Sequence, residues 1–148
     1  MKDFEFEYDA AVLVLGQNLI AGKWTIPILW DLSKGAKRFS ELHNLFLTSH
    51  SVFTKQLRQL EDSGLIIREV HSEAPVRVDY SLTDIGAKLI PVLSALIDWS
   101  QDYIECQKEA GISDIDFIKN SFVPDKYKAY QRVALILKDR KSPKDPTL

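Results

Sequence analysis

Between Ser49 and Asp62 the chain reads SHSVFTKQLRQLED, and its residue types separate into two sets. Phe53, Leu57 and Leu60 recur at spacings of four and three, which puts them on one side of a helix. His50, Ser51, Thr54, Lys55 and Arg58 fall on the other side. Hydroxyls, an imidazole and two cations on one helical face suit one kind of chemistry: hydrogen bonding to base edges in a duplex groove, with the cations neutralising phosphates. Ser49 is placed to cap the helix, and the free amides beside it suit a phosphate. Lys37 and Arg38 lie upstream as further backbone neutralisers, and Arg77 sits downstream, where it can reach an adjacent minor groove or a phosphate. Two other readings stay open. These side chains could form an ordinary solvated face, and Arg58 could pair with Glu61 or Asp62 on its own helix.

Other chemistries have less to stand on. The sequence has no glycine-rich phosphate loop, no HExxH and no GxSxG, so no catalytic residue is assigned and the chain is not read as an enzyme. His43, His50 and His71 lack metal-ligand spacing and are read as structural or surface residues, which leaves no metal and no cofactor call. Cys106 is the single cysteine and cannot form an internal disulfide, in keeping with a reducing compartment. Its only basic neighbour is Lys108, so it is read as a quiet thiol.

Composition sets the frame. The 148 residues are 45% hydrophobic and 27% charged, an ordinary globular balance that excludes a disordered chain, a collagen-like fibre or a disulfide scaffold. No stretch reaches the roughly 18–20 apolar residues of a membrane span, and the start MKDFEFEYDA is acidic where a signal peptide would be basic. A cytoplasmic location without membrane contact is expected. The net charge of −2 argues against nucleic acid on average, but the charge is segregated. Asp3, Glu5, Glu7 and Asp9 outweigh Lys2 at the start, whereas Lys34, Lys37, Arg38, Lys55 and Arg58 face only Glu41 between residues 34 and 60.

The elements that must position these residues follow from periodicity. Residues 10–20 are apolar enough for a buried helix, and Ala21-Gly22 interrupts it. Residues 23–32 form a second apolar segment, in which Pro27 must lie in the first turn or kink the helix. Phe39-Ser40-Glu41 starts a short helix, with Ser40 as a cap. The capped helix from Ser49 ends at Asp62-Ser63-Gly64. Residues 65–72 and 76–82 read as two strands around Glu73-Ala74-Pro75, a hairpin. Thr83-Asp84 caps a long helix, bent at Pro91, on which Ile85, Leu89, Val92, Leu96, Trp99 and Tyr103 repeat at alternating spacings of four and three. That stripe, widened by Leu93, Ile97 and Ile104, exceeds what one small domain covers, so part of it should meet a second subunit. The fold class is mainly α with a small β-hairpin: a winged helix-turn-helix with long flanking dimerisation helices.

The sequence also resembles a known family. Gly22-Lys23-Trp24, Arg38-Phe39-Ser40-Glu41-Leu42, Gln56-Leu57-Arg58, Leu60-Glu61, Gly64-Leu65 and Tyr80-Ser81-Leu82-Thr83 fall in the order and spacing of the HxlR-type transcriptional regulators, across roughly residues 10–103. The resemblance implies a homodimer held by its first and last helices, operator binding, and regulation of nearby genes, often in response to a small or reactive molecule. Many members carry a cysteine about thirteen residues before the GKW tryptophan. Ala11 stands there in this chain, so thiol sensing by that route is unsupported.

The resulting expectation is an acidic segment (1–9), a DNA-binding and dimerisation domain (10–106), a helical extension (107–138) with helices at 112–120 and 125–138, and a disordered tail (139–148). Double-stranded DNA and a second copy are the partners, with a small-molecule effector as a further candidate. Val12, Leu15, Leu89, Val92, Leu96, Trp99 and Tyr103 are assigned to the dimer interface, and Trp24, Trp30, Trp99 and Tyr103 to a candidate effector pocket. The function read is a dimeric, sequence-specific regulator, a repressor rather than an activator. A winged-helix module for protein contacts is the alternative, and the basic segment 34–60 weighs against it.

Overall fold

The computed structural model describes residues 2–46 and 48–111. Six helices and three strands follow in the order α1 (Lys2–Ile20), α2 (Thr25–Leu32), β1 (Lys37–Arg38), α3 (Phe39–His43), α4 (His50–Asp62), β2 (Ile66–His71), β3 (Arg77–Leu82), α5 (Asp84–Lys88) and α6 (Ile90–Glu109). The expected helices at 112–120 and 125–138 and the tail lie outside the described residues.

The core forms where α2, α4 and the sheet meet. Ile28, Leu29 and Leu32 of α2, Leu42 of α3 and Phe53, Leu57 and Leu60 of α4 are buried together with Leu65, Ile66, Tyr80 and Leu93. Trp24 and Phe46 close one end, their ring centroids 5.5 Å apart. Pro27 sits in the first turn of α2, where its missing N–H is no loss, and the helix needs no kink.

Two local devices set the position of α4. Ser49 Oγ accepts from Val52 N at 3.3 Å, the expected N-cap. At the other end Gly64 adopts φ +71°, and Leu65 N donates to Leu60 O at 3.0 Å, which turns the chain out of the helix into β2. Gln56 Nε2 donates to Thr25 Oγ1 at 3.2 Å and ties α4 to the start of α2.

The sheet has the order β1-β3-β2, antiparallel throughout. The hairpin expected from alternation is present, with His71 opposite Arg77 and Ile66 opposite Leu82. The third strand was not anticipated. Lys37 and Arg38 pair with Tyr80 and Asp79, so the two cations are strand residues as well as surface charges.

The acidic start lies within α1, which runs from Lys2 without a break. Three sequence expectations are corrected. Residues 10–20 are not buried among the described residues: Val12, Leu13, Val14 and Leu15 are exposed there. Ser40 does not cap α3. It lies inside the helix, and Glu41 reaches back so that its Oε2 accepts from Arg38 N at 2.7 Å. The long last helix is divided at Leu89, with Pro91 in the first turn of α6, where a proline cannot continue the α5 ladder.

The start of α5 is closely fitted. Thr83 Oγ1 donates to Gly64 O at 2.6 Å and accepts from Gly86 N at 3.0 Å. A side chain at Gly86 would collide with the Leu65 carbonyl oxygen, whereas one at Gly16 meets open space. Gly86→Ala is expected to cost about 1–3 kcal/mol as an overpacking change, while Gly16→Ala should stabilise slightly by helix propensity. Chemical denaturation compares them, and an unaltered midpoint for Gly86→Ala would contradict this seating of α5.

Candidate nucleic-acid interface

Burial of Phe53, Leu57 and Leu60 determines which side of α4 faces outward. Ser49, His50, Ser51, Lys55 and Arg58 are exposed and Thr54 is half-buried. Lys55 and Arg58 make no ion pair among the described residues, so the pairing of Arg58 with Glu61 or Asp62 is not formed. Ser49 and Ser51 hydroxyls lie 3.2 Å apart at the helix start.

The histidines near this surface serve the turn. His43 Nε2 lies 2.9 Å from the Thr48 carbonyl oxygen and bridges the α3–α4 connection. The His50 ring rests 4.7 Å from the Phe39 ring and 6.0 Å from that of His43. His50 Nδ1 also lies 3.4 Å from Thr54 Oγ1, so both side chains are steered by their neighbours.

The cations on the sheet are held differently. Lys37 Nζ lies 3.1 Å from Asp31 Oδ2, and Lys34 Nζ lies 3.6 Å from Asp31 Oδ1. The Asp31 side chain is only 12% exposed. Lys37 therefore balances a nearly buried carboxylate while its own side chain stays partly exposed. Arg38 remains exposed.

On the wing, Arg77 Nε and His71 Nε2 both lie 3.0 Å from Asp79 Oδ2. Glu69 Oε2 lies 4.0 Å from the same imidazole nitrogen. Sequence reading selected Arg77 but missed Asp79 and His71. The signal was present in the alternation, since residues 77, 79 and 81 share one face of β3. A groove of about 590 Å³ separates the wing from the start of α3, with Arg38, Ser40, His71 and Arg77 among its lining residues.

A second surface is apolar. Val12 and Leu15 of α1 and Val92, Leu96, Trp99 and Tyr103 of α6 are exposed. Leu89, assigned from sequence to the same interface, instead packs half-buried against its own core. The four residues of the candidate effector pocket lie on the core and on α6. Trp24 is buried in the core, Trp30 packs against it, and Trp99 stacks on Tyr103 with centroids 5.6 Å apart. Cys106 is exposed and free. No single helix among the described residues is long and apolar enough to cross a membrane, and no group of three or more metal-ligating side chains occurs among them.

Comparison with known proteins agrees with this geometry. The HxlR-like helix-turn-helix family model matches residues 19–108. An HTH-type transcriptional regulator of Methanothermobacter thermautotrophicus is 41% identical over 112 residues, covering 75% of this chain and 83% of its own. The HTH-type regulator YkvN of Bacillus subtilis is 34% identical over 116 residues, covering 78% and 94%. Among solved structures, a MarR-family transcriptional regulator from Enterococcus faecalis V583 superimposes with a TM-score of 0.62 at 36% identity, covering 70% of this chain and 93% of its own. With a winged helix-turn-helix fold, a capped helix whose polar side is free, and a family match over most of its described length, the chain belongs to the HxlR-like helix-turn-helix family of transcriptional regulators.

Proposed function

We propose that this protein is a homodimeric, sequence-specific DNA-binding repressor acting in the cytoplasm. The observation that carries the reading is the exposed polar side of α4, on which Lys55 and Arg58 have no carboxylate partner among the described residues. A helix anchored by one side and cationic on the other meets the requirements of a major-groove reader. Ser49, His50, Ser51 and Thr54 supply hydrogen-bonding groups near its N-terminus, the end that meets base edges in helix-turn-helix proteins. Arg38 neutralises the flanking phosphate backbone, and Arg77 extends the contact from the wing. Lys37 contributes charge to this surface while staying bound to Asp31.

The second copy follows from the apolar surface. Exposed Val12, Leu15, Val92, Leu96 and Trp99 would leave a large apolar area in water on a lone chain, and such areas mark interaction sites. Pairing α1 and α6 with those of a second copy covers them and presents two α4 helices to one duplex. Half-sites are then spaced about 10 bp apart, or a multiple of that, so that both helices enter major grooves on one side of the DNA. A dimer seated in this way excludes other proteins from the promoter, hence the assignment as a repressor.

A gel-shift assay on DNA flanking its own gene is the primary test. A salt-sensitive complex that survives competitor DNA is expected, and its absence from every flanking segment would refute the reading. Arg58→Ala is expected to weaken operator binding by ~1–3 kcal/mol while sparing random duplex, the mark of a bidentate base contact. Lys55→Ala should weaken both and reduce the salt slope by about 1. Equal losses on both duplexes for Arg58→Ala would move that residue to a phosphate. Leu96→Asp places a charge in the apolar seam and should yield monomers by light scattering, and a persisting dimer would displace the interface from α6.

A further inference from the structure

We propose that Asp79 is a positioning residue for the wing, holding Arg77 so that its guanidinium enters the minor groove beside the half-site read by α4. The proposal rests on the DNA-binding reading above and assigns a role to a carboxylate which that reading does not use.

The geometry is specific. His71 and Arg77 face each other across β2 and β3, and Asp79 lies two residues along the same face of β3. Both basic side chains close on one oxygen, Asp79 Oδ2, at 3.0 Å. The Asp79 side chain is 20% exposed and Arg77 is 42% exposed. The carboxylate is thus sunk into the sheet while the guanidinium stands out of it. Arg77 meets the carboxylate through Nε, and its planar fork carries further donors on the two terminal amino groups. Asp79 Oδ1 is buried without a hydrogen-bond partner, and His71 Nε2 makes no hydrogen bond either, so the imidazole lies against Asp79 Oδ2 as a close contact.

An acidic residue beside a DNA-binding arginine carries an electrostatic cost, because it opposes approach to phosphates. Its benefit is order. An untethered arginine loses rotamer freedom on binding, and one already held by Nε loses less. A narrow minor groove, with its enhanced negative potential, attracts such a guanidinium and does so more strongly at A·T-rich steps. Beyond His71 and Arg77 the two strands end and residues 72–76 form a short turn, a narrow tip for approaching that groove. On the other side of the pair is the groove shared with Arg38 and Ser40. Random DNA gains little from a pre-set arginine and pays the full repulsion of the carboxylate, so Asp79 favours the correct flank over incorrect ones.

The test is a double-mutant cycle on the operator found by gel shift, using versions with A·T-rich and G·C-rich flanks outside the half-sites and a random duplex. Wild type is expected to prefer the A·T flank, and Arg77→Ala to lose the preference. Asp79→Ala should reduce it by about two- to hundredfold, the range of coupled neighbouring residues, while binding random duplex as well as wild type or better. In the Arg77→Ala background, Asp79→Ala should change the preference no further. Asp79→Asn, which keeps an acceptor oxygen and the shape, should retain an intermediate preference and guards against a folding defect in the alanine variant. Equal effects of Asp79→Ala with and without Arg77 would assign it a purely structural role and overturn the proposal. A reduced salt slope with flank preference intact would place Arg77 on a phosphate and overturn it equally. If wild type prefers no duplex at all, the regulator reading itself fails, a result distinct from either.

Discussion

The fold turns on the burial of one side of α4. Phe53, Leu57 and Leu60 are inserted between α2, α3 and the sheet, and each is at most 2% exposed. Removing such a side chain from a packed core costs several kcal/mol, so rotation of α4 about its axis is not a low-energy motion. This constraint has a direct chemical result. Because the apolar side cannot turn outward, Ser51, Lys55 and Arg58 cannot turn inward. The cap at Ser49, the left-handed Gly64 and the Gln56–Thr25 bond then fix where the helix starts, ends and lies along its length. The orientation of the polar face is therefore a consequence of core packing, and the loops need contribute only the boundaries.

Around this helix the positive charges fall into two groups. Lys55 and Arg58 stand without carboxylate partners among the described residues, whereas Lys37 and Arg77 are each held by a half-buried or buried aspartate. A free lysine acts as a mobile point charge, and a free arginine keeps its whole planar fork for an outside acceptor. Tethered ones have a defined direction and a smaller net field. An acidic chain can thus keep one cationic helix face without carrying free positive charge over its whole surface. The separation of α1, whose start is acidic, from the basic region between residues 34 and 60 works in the same direction.

Much of this was legible from residue spacing. Side-chain alternation gave the hairpin, the four–three repeat gave the buried side of α4, and the motifs around Gly22-Lys23-Trp24 and Tyr80-Ser81-Leu82-Thr83 pointed to the family. What escaped were features made by partners distant in sequence. A two-residue strand such as β1 has no periodicity to detect, and it exists only because β3 offers an edge. Lys37 looked free because Asp31 is six positions away, on another element. Leu89 belonged by spacing to the outer stripe, but the break between α5 and α6 turned it toward the core. Residues 10–20 misled for a different reason: apolar character signals a need for cover, and it does not say which element supplies it.

The joint at Leu89 has one more consequence. From there α6 runs 20 residues, a stiff rod of about 30 Å at 1.5 Å per residue, and it is seated in the core near its base by Leu93. A rod pivoted at one end magnifies angular change. A tilt of about 6° at the pivot carries the distal tip sideways by roughly 3 Å, close to the rise of a base pair. The stacked Trp99 and Tyr103 lie from the middle of that rod outward, so a push against them acts through a lever arm of about 14–20 Å, and the short α5 step, locked to Gly64 by Thr83, is the fulcrum.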